Sequence, residues 1–163
     1  MPVKNAGQSG AVVVGPYRYL LWRVWSPGSP RLLWILLNPS RADSCVDDPT
    51  LRRILGFSHS FGFGGIEVAN LFALRSTDPG ILTRVSDPVG PENDRYIREA
   101  LERAAKIVVA WGSYGRLHGR DDEVLAQIER PTYCLGVTRD GYPRHPLYLR
   151  RDILLRSFPT PKI

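Results

Sequence analysis

The most informative part of this sequence is the stretch Arg31-Leu32-Leu33-Trp34-Ile35-Leu36-Leu37-Asn38-Pro39-Ser40. The uninterrupted apolar run 32–37 is typical of a strand covered on both faces, as in the middle of an α/β sheet. It stops at Asn38, because Pro39 cannot donate a ladder hydrogen bond and favours an extended conformation in the residue before it. We therefore expect Asn38 at the carboxyl end of a buried strand, where α/β sheets bind ligands. A simple turn would give the same Asn-Pro-Ser signal.

Three further apolar runs, at 66–72, 107–111 and 132–136, also predict buried strands. Helical patterns lie between them: one begins at Asp48-Pro49 and ends near Gly62, and two others cover 95–105 and 121–129. This alternation predicts a three-layer α/β/α fold with a mainly parallel central sheet. The run 17–25 precedes a Gly/Pro turn and the strand at Arg31, which predicts an antiparallel hairpin at the N-terminal edge.

The composition indicates a single globular domain, with 163 residues, 43% of them hydrophobic and 23% charged. We expect a loose N-terminal arm over 1–15 and one α/β domain over 16–163. The widely spaced Cys45 and Cys134 disfavour a disulfide framework or a zinc site. No apolar run is long enough to cross a bilayer and no leader pattern is present, so we expect a cytoplasmic protein with no membrane contact. The net charge of +6 is compatible with nucleic-acid or phosphate partners.

Several strands end in polar or glycine-rich turns. Besides Asn38, these ends carry Asn70 and the turn Gly112-Ser113-Tyr114-Gly115. Parallel strands place such ends on one rim, which predicts a single cleft that also includes Ser40. The glycine turn is suited either to holding a phosphate on its amides or to strand-to-helix packing. No GxGxxG pattern or P-loop lysine is present, which disfavours a dinucleotide or ATP site.

Other side chains are candidates for binding or chemistry at this rim. His145 follows the fourth strand and can donate a hydrogen bond to a developing anion, although a loop histidine can also simply be solvated. Asp43 and Asp47 are candidate acids or bases, and as a metal signal they are too weak to predict a metal or cofactor. Phe72 and Tyr114 are candidates for stacking on a base, or else core aromatics. The candidate phosphate-binding residues are Arg41, Arg144, Arg150 and Arg151.

In combination, several short motifs resemble a bacterial and phage family of unknown function. They are Asn38-Pro39-Ser40, Asp47-Asp48-Pro49-Thr50, Asn70-Leu71-Phe72-Ala73, Gly90-Pro91-Glu92-Asn93-Asp94, Trp111-Gly112 and His145-Pro146-Leu147-Tyr148-Leu149. This resemblance covers roughly residues 17 to 150.

More distantly, the order of these motifs is similar to that of the uracil-DNA glycosylase superfamily. The resemblance implies that Asn38 orients a water, Asn70 reads the base, Gly112 lies in the turn after a further strand and His145 stands near the departing base. Leu36 occupies a position where a glycine is usual, and Leu147 follows His145-Pro146 where the superfamily has serine. Asn38 is an amide and cannot act as a general base, so the fold transfers better than the activity.

These observations support three hypotheses about function. The first is a uracil-DNA-glycosylase-like domain that cleaves the N-glycosidic bond of a damaged or modified base in DNA or a nucleotide, which would make it a hydrolase. The second is a non-catalytic module that binds a nucleotide or nucleic acid with the same cleft. The third is a scaffold protein with an inert cleft. No feature of the sequence requires an obligate protein partner.

Overall fold

The computed structural model describes residues 8–159, which form one mixed sheet with helices on both faces. Its strands are β1 (Gln8–Val14), β2 (Tyr17–Val24), β3 (Arg31–Leu36), β4 (Gly65–Asn70), β5 (Lys106–Val109), β6 (Tyr133–Cys134) and β7 (Arg156–Ser157). The helices are α1 (Pro49–Ser60), α2 (Asn93–Arg103) and α3 (Arg120–Leu125), and two 3-10 segments cover Pro79–Thr83 and Ser113–Gly119. No helix in this part of the chain is long and apolar enough to cross a membrane.

The centre of the sheet is parallel, as the sequence predicts. The strand order is β1-β2-β4-β3-β5-β6-β7, and β4, β3, β5 and β6 run parallel to one another. β3 lies between β4 and β5, and helices cover both of its faces, so residues 32–36 are all buried. The predicted strands at 32–37, 66–72, 107–111 and 132–136 therefore lie in one sheet. Antiparallel pairs flank this centre at both edges.

The N-terminal edge differs from the prediction. β2 does not form a hairpin with β3; it pairs antiparallel with β4, placing Leu21 opposite Val68. The edge hairpin is instead formed by β1 and β2. The loose arm expected over 1–15 is thus wrong for residues 8–14, while residues 1–7 lie outside the described residues. Small residues suit this edge strand, because a side chain on Gly10 would collide with the Trp22 ring.

Each face of the sheet has its own hydrophobic core. On one face, Trp34 packs with the buried side of α1, and its indole N–H donates to Ser58 Oγ at 2.9 Å. On the other face, Ile35 packs with Ile97 of α2 and Val124 of α3. This alternation along β3 follows from the two-residue repeat of a strand and produces the three predicted layers.

The connections of β3 determine where a cleft can form. The chain passes from β3 to β4 through α1, and then from β4 back across β3 to β5 through α2. In α/β sheets a crevice opens between two adjacent strands whose outgoing connections lie on opposite faces of the sheet. Here that point lies at the carboxyl ends of β3 and β5, beside the end of β4. The predicted start of α1 is confirmed, since Asp48 Oδ1 accepts from Leu51 N at 2.8 Å.

Candidate functional site: a two-part cleft at the strand ends

Two cavities meet at the carboxyl ends of the central strands. The inner cavity has a volume of about 40 Å³ and the outer cleft one of about 460 Å³. Both are lined by the same set of polar side chains, namely Asn38, Ser40, Asp48, Thr50 and His145. The inner cavity has room for a few water molecules or one edge of a ring, and the outer cleft is within the usual size range of small-ligand sites.

Asn38 stands on the wall shared by the two cavities, two residues beyond the end of β3. Its amide nitrogen donates to Ser76 O at 3.0 Å, to Pro39 O at 3.2 Å and to Leu74 O at 3.4 Å. These carbonyls fix the side chain against the loop after β4. The amide nitrogen donates to backbone carbonyls, so the atom that can still bind a ligand is Oδ1, which accepts a hydrogen bond, for example from a water.

Asn70 is the last residue of β4 and lines the inner cavity, with only 1% of its surface exposed. Its Oδ1 accepts from Arg18 Nη2 at 3.3 Å, whereas its Nδ2 has no partner among the described residues. The contact with Arg18 therefore sets the orientation of the amide. A buried amide N–H without a partner is costly, which makes this wall of the cavity suited to a ligand that offers an acceptor.

Arg18 is a buried cation that sequence analysis did not include in the site. It extends from β2 into the inner cavity, where Nη1 donates to Ala42 O at 3.0 Å and Nε has no partner in the described part of the chain. No carboxylate of residues 8–159 forms an ion pair with it. Burial lowers the pKa of Arg18 to about 10, and nearby Asp48 partly offsets this shift, so the guanidinium stays charged at neutral pH. The sequence signal was an arginine inside the mainly apolar run 17–25, and Arg23 gives the same signal.

Two side chains that lie outside the cavities fix the end of β4 by hydrogen bonds to its carbonyl oxygens. Asn93, at the start of α2, donates its amide to Asn70 O at 2.9 Å and to Leu71 O at 3.1 Å. Arg120 donates to Leu71 O at 2.8 Å and to Asp94 at 2.7 Å. The motif Gly90-Pro91-Glu92-Asn93-Asp94 thus supports the cavity wall without lining either cavity.

His145 closes the opposite wall. It is held there because Gly112 N, after β5, donates to Pro143 O at 2.8 Å. The ring Nδ1 accepts from Leu147 N at 3.3 Å, which assigns the proton of the neutral ring to Nε2. Burial lowers the pKa of His145, and the charge of Asp48 offsets part of that effect. The ring is therefore a neutral hydrogen-bond donor at neutral pH.

The predicted acid or base residues Asp43 and Asp47 lie outside both cavities. Asp43 Oδ1 accepts from Cys45 N at 2.9 Å and from Val46 N at 2.8 Å, and these bonds hold the pKa of this carboxyl below its usual range. Asp47 pairs with Arg23 at 2.9 Å. Both residues stabilise the loop before α1. The carboxylate that lines the cavities is Asp48, whose Oδ2 also accepts from Ala42 N.

The remaining predicted residues separate into two groups. Gly112, Ser113 and Tyr114 line the outer cleft, and Ser40 lines both cavities. Phe72 lines neither: it is fully buried, with its ring edge-on to His118. β4 ends at Asn70 instead of 72, so strand alternation no longer directs residue 72 towards the cleft.

The four predicted phosphate-binding arginines do not line the cleft. Arg41 is exposed, and Arg144 donates to Val137 O at 3.1 Å. Arg150 pairs with Asp152 at 3.0 Å, and Arg151 lines a separate groove beside α1. Within residues 8–159, no group of three or more histidine, cysteine or acidic side chains is placed to hold a metal ion.

The fold and its cleft define an α/β domain with a polar, donor-rich site at the strand ends. The family model of DUF1643, a protein of unknown function, matches residues 18–147. The chain belongs to this family, and the matched segment includes both Arg18 and His145. No curated protein and no solved structure matches the chain, and the uracil-DNA-glycosylase-like fold stays a prediction.

Proposed function

We propose that this domain binds a nucleobase by an oxo group in the inner cavity and hydrolyses the N-glycosidic bond that joins the base to its sugar. The observation that carries the proposal is the meeting of Asn38, Asn70 and His145, from three separate segments, around one small cavity. The chemistry of their free atoms supports it: an acceptor on Asn38 and donors on Asn70 and His145.

The donors favour a particular face of the ligand. Asn70 Nδ2 and Arg18 Nε are buried with no partner in residues 8–159, and both residues line the inner cavity. A ring oxo oxygen can accept hydrogen bonds from these donors. An exocyclic amino group is itself a donor, so it would leave them without an acceptor. We therefore propose uracil, hypoxanthine, xanthine or a modified pyrimidine as the class of base, with the sugar in the outer cleft.

The proposed reaction follows from where charge develops. The bond between the base nitrogen and the sugar C1′ breaks, its electron pair leaves with the base, and the sugar becomes cationic. His145 Nε2–H and the Arg18 cation stabilise the anionic base. Asn38 Oδ1 orients a water, which adds to C1′ and releases a proton to the base or to solvent.

One feature of the site favours a second candidate, a base-binding module without turnover. Asn38 cannot take a proton from water, and Asp48, the carboxylate on the wall, accepts backbone N–H bonds at both oxygens. Such a site can hold a base without activating water.

A single-turnover assay separates these functions. Oligonucleotides containing uracil, hypoxanthine, xanthine or a modified pyrimidine are incubated with excess protein, and release of free base is measured. The glycosidase proposal requires release from at least one substrate. Binding of these bases without any release would establish the module instead, and binding of none of them would reject both.

A further inference from the structure

A second concave surface lies next to the outer cleft. This groove has a volume of about 790 Å³ and runs between α1 and the loop 147–151. It shares Pro49 and Leu147 with the outer cleft, so the two spaces are adjacent on one side of the protein. Its lining includes Arg52, Arg53 and Arg151 but no acidic residue.

The charges of the groove have no acidic partner within residues 8–159. None of the three arginines forms an ion pair with a carboxylate of the described chain. Arg53 lies over the Phe57 ring at 5.2 Å, and its Nε and Nη2 atoms are buried with no hydrogen-bond partner among the described residues. Within that part of the chain, Arg52 donates only to Asp47 O, at 3.1 Å. The neighbouring Arg150, by contrast, lies outside the groove and is neutralised by Asp152.

An unusual aromatic residue stands at the edge of the groove. Tyr148 has 97% of its surface exposed and a backbone φ of +69°, in the left-handed region that residues other than glycine seldom adopt. Both the exposed ring and the backbone strain are unfavourable in the isolated protein. An exposed ring next to unpaired arginines is the combination that binds single-stranded nucleic acids, by stacking on bases and pairing with phosphates.

We infer that this groove binds the phosphodiester backbone of a single-stranded nucleic acid, with a base stacked on Tyr148. Its position next to the outer cleft, across Pro49 and Leu147, links it to the proposed function, on which the inference rests. One nucleotide occupies the cleft, and its neighbours in the strand occupy the groove. The substrate is then a strand and not a free nucleotide. The contacts lie along α1 and not at Arg144 or Arg150.

Fluorescence anisotropy with a labelled single-stranded oligonucleotide tests the inference. Arg52→Ala, Arg53→Ala and Arg151→Ala should each reduce the slope of log affinity against log salt by about 0.7, the value per phosphate contact for single strands. Arg98→Ala is the matched control, because Arg98 is an exposed arginine of α2, on the opposite face of the sheet, and forms no ion pair with the described residues. It should leave the slope unchanged. If the three groove variants show the same salt slope as Arg98→Ala, the inference is overturned.

Tyr148→Gly distinguishes binding from folding. The change removes the backbone strain, so the melting temperature should rise or stay the same, while strand affinity falls roughly 5- to 150-fold through lost stacking. Undiminished affinity would contradict the stacking role. Displacement of the strand by an acidic peptide at equal charge concentration, or equally tight binding of the duplex, would overturn the choice of a single strand.

The outcomes also separate this inference from the proposed function. Binding of free uracil depends on the inner cavity only, so it should be unchanged in all groove variants. Groove-dependent strand binding without base release would support the groove and reject the glycosidase. Base release together with a strand affinity that the groove variants do not change would support the glycosidase and reject the groove.

Discussion

Replacing Arg18 by methionine tests whether the buried guanidinium serves binding more than stability. The change removes a charged donor from Ala42 O and Asn70 Oδ1. Two hydrogen bonds to a charged group contribute roughly 1.5–3 kcal/mol each. Against this, the lowered pKa of Arg18 corresponds to a net cost of about 3 kcal/mol for holding the charge in this site, mainly through desolvation, and methionine does not incur this cost. We therefore expect a net loss of only about 0–3 kcal/mol in the free energy of unfolding.

The effect of Arg18→Met on ligand selection should be larger. Without Arg18 Nη2, the Asn70 amide can rotate and present its oxygen to the cavity. The preference for uracil over cytosine, and for hypoxanthine over adenine, should then fall by ~1–3 kcal/mol. The assays are calorimetric titration of the four free bases and urea unfolding.

Arg23→Met is the control for Arg18→Met. Arg23 lies on the same strand and holds the same loop, through Asp43 O and Asp47, but it lines neither cavity. It should reduce stability and leave base preference unchanged. If Arg18→Met costs more than about 5 kcal/mol, or keeps full base preference, the guanidinium is structural and the argument is wrong.

The other predictions concern the two walls of the cleft and the entry to α1. Asn38→Ala and His145→Ala should each lower the single-turnover rate of base release by about 10²-fold or more, with folding checked by circular dichroism; unchanged rates would place the active site elsewhere. Burial lowers the pKa of the folded His145 ring below the 6.5 of a free ring, so the folded ring is harder to protonate. The free energy of unfolding should therefore decrease as the pH falls below 6.5. Urea unfolding should show that His145→Gln makes the free energy of unfolding less dependent on pH. The same pH profile in this variant and in the wild-type protein would refute the role of His145. Asp48→Ala removes the cap of α1 and should cost about 0.5–2 kcal/mol in the same assay, whereas no loss would show that the cap is not stabilising.

The central strands could be predicted because burial on both faces leaves a local signature. β3 and β5 are short apolar runs, and Pro39 marks where the first of them stops. The start of α1 was equally local, since Asp48 caps it and Pro49 begins it. β1 carried a weaker signature: its valines, 12–14, are typical of a strand, but the small and polar residues around them resemble a flexible arm.

The pairing of strands and the full cavity wall depend on contacts between distant parts of the chain. β2 finds its partner in β4, and the sequence favoured the nearer β3. Arg18 enters the site only because this pairing places β2 beside Asn70. Asn38, Asn70 and His145 line one cavity. Asn38 and Asn70 meet there because parallel strand ends meet at one rim, whereas His145 is brought there by the bond from Gly112 N to Pro143 O. Their functional roles stay predictions. Which atoms of these amides are free could be learned only from their partners.

The most direct test of the central claim is a nuclear magnetic resonance titration of the protein with free uracil. The side-chain amide signals of Asn38 and Asn70 and the ring signal of His145 are followed, with the buried Asn93 amide as an internal control, since its nitrogen already donates to two carbonyls. If the inner cavity holds the base, the Asn70 and His145 signals shift together with one dissociation constant, while the Asn93 signal shifts far less. Binding of uracil that leaves the Asn70 and His145 signals unmoved would place the base elsewhere and contradict the account.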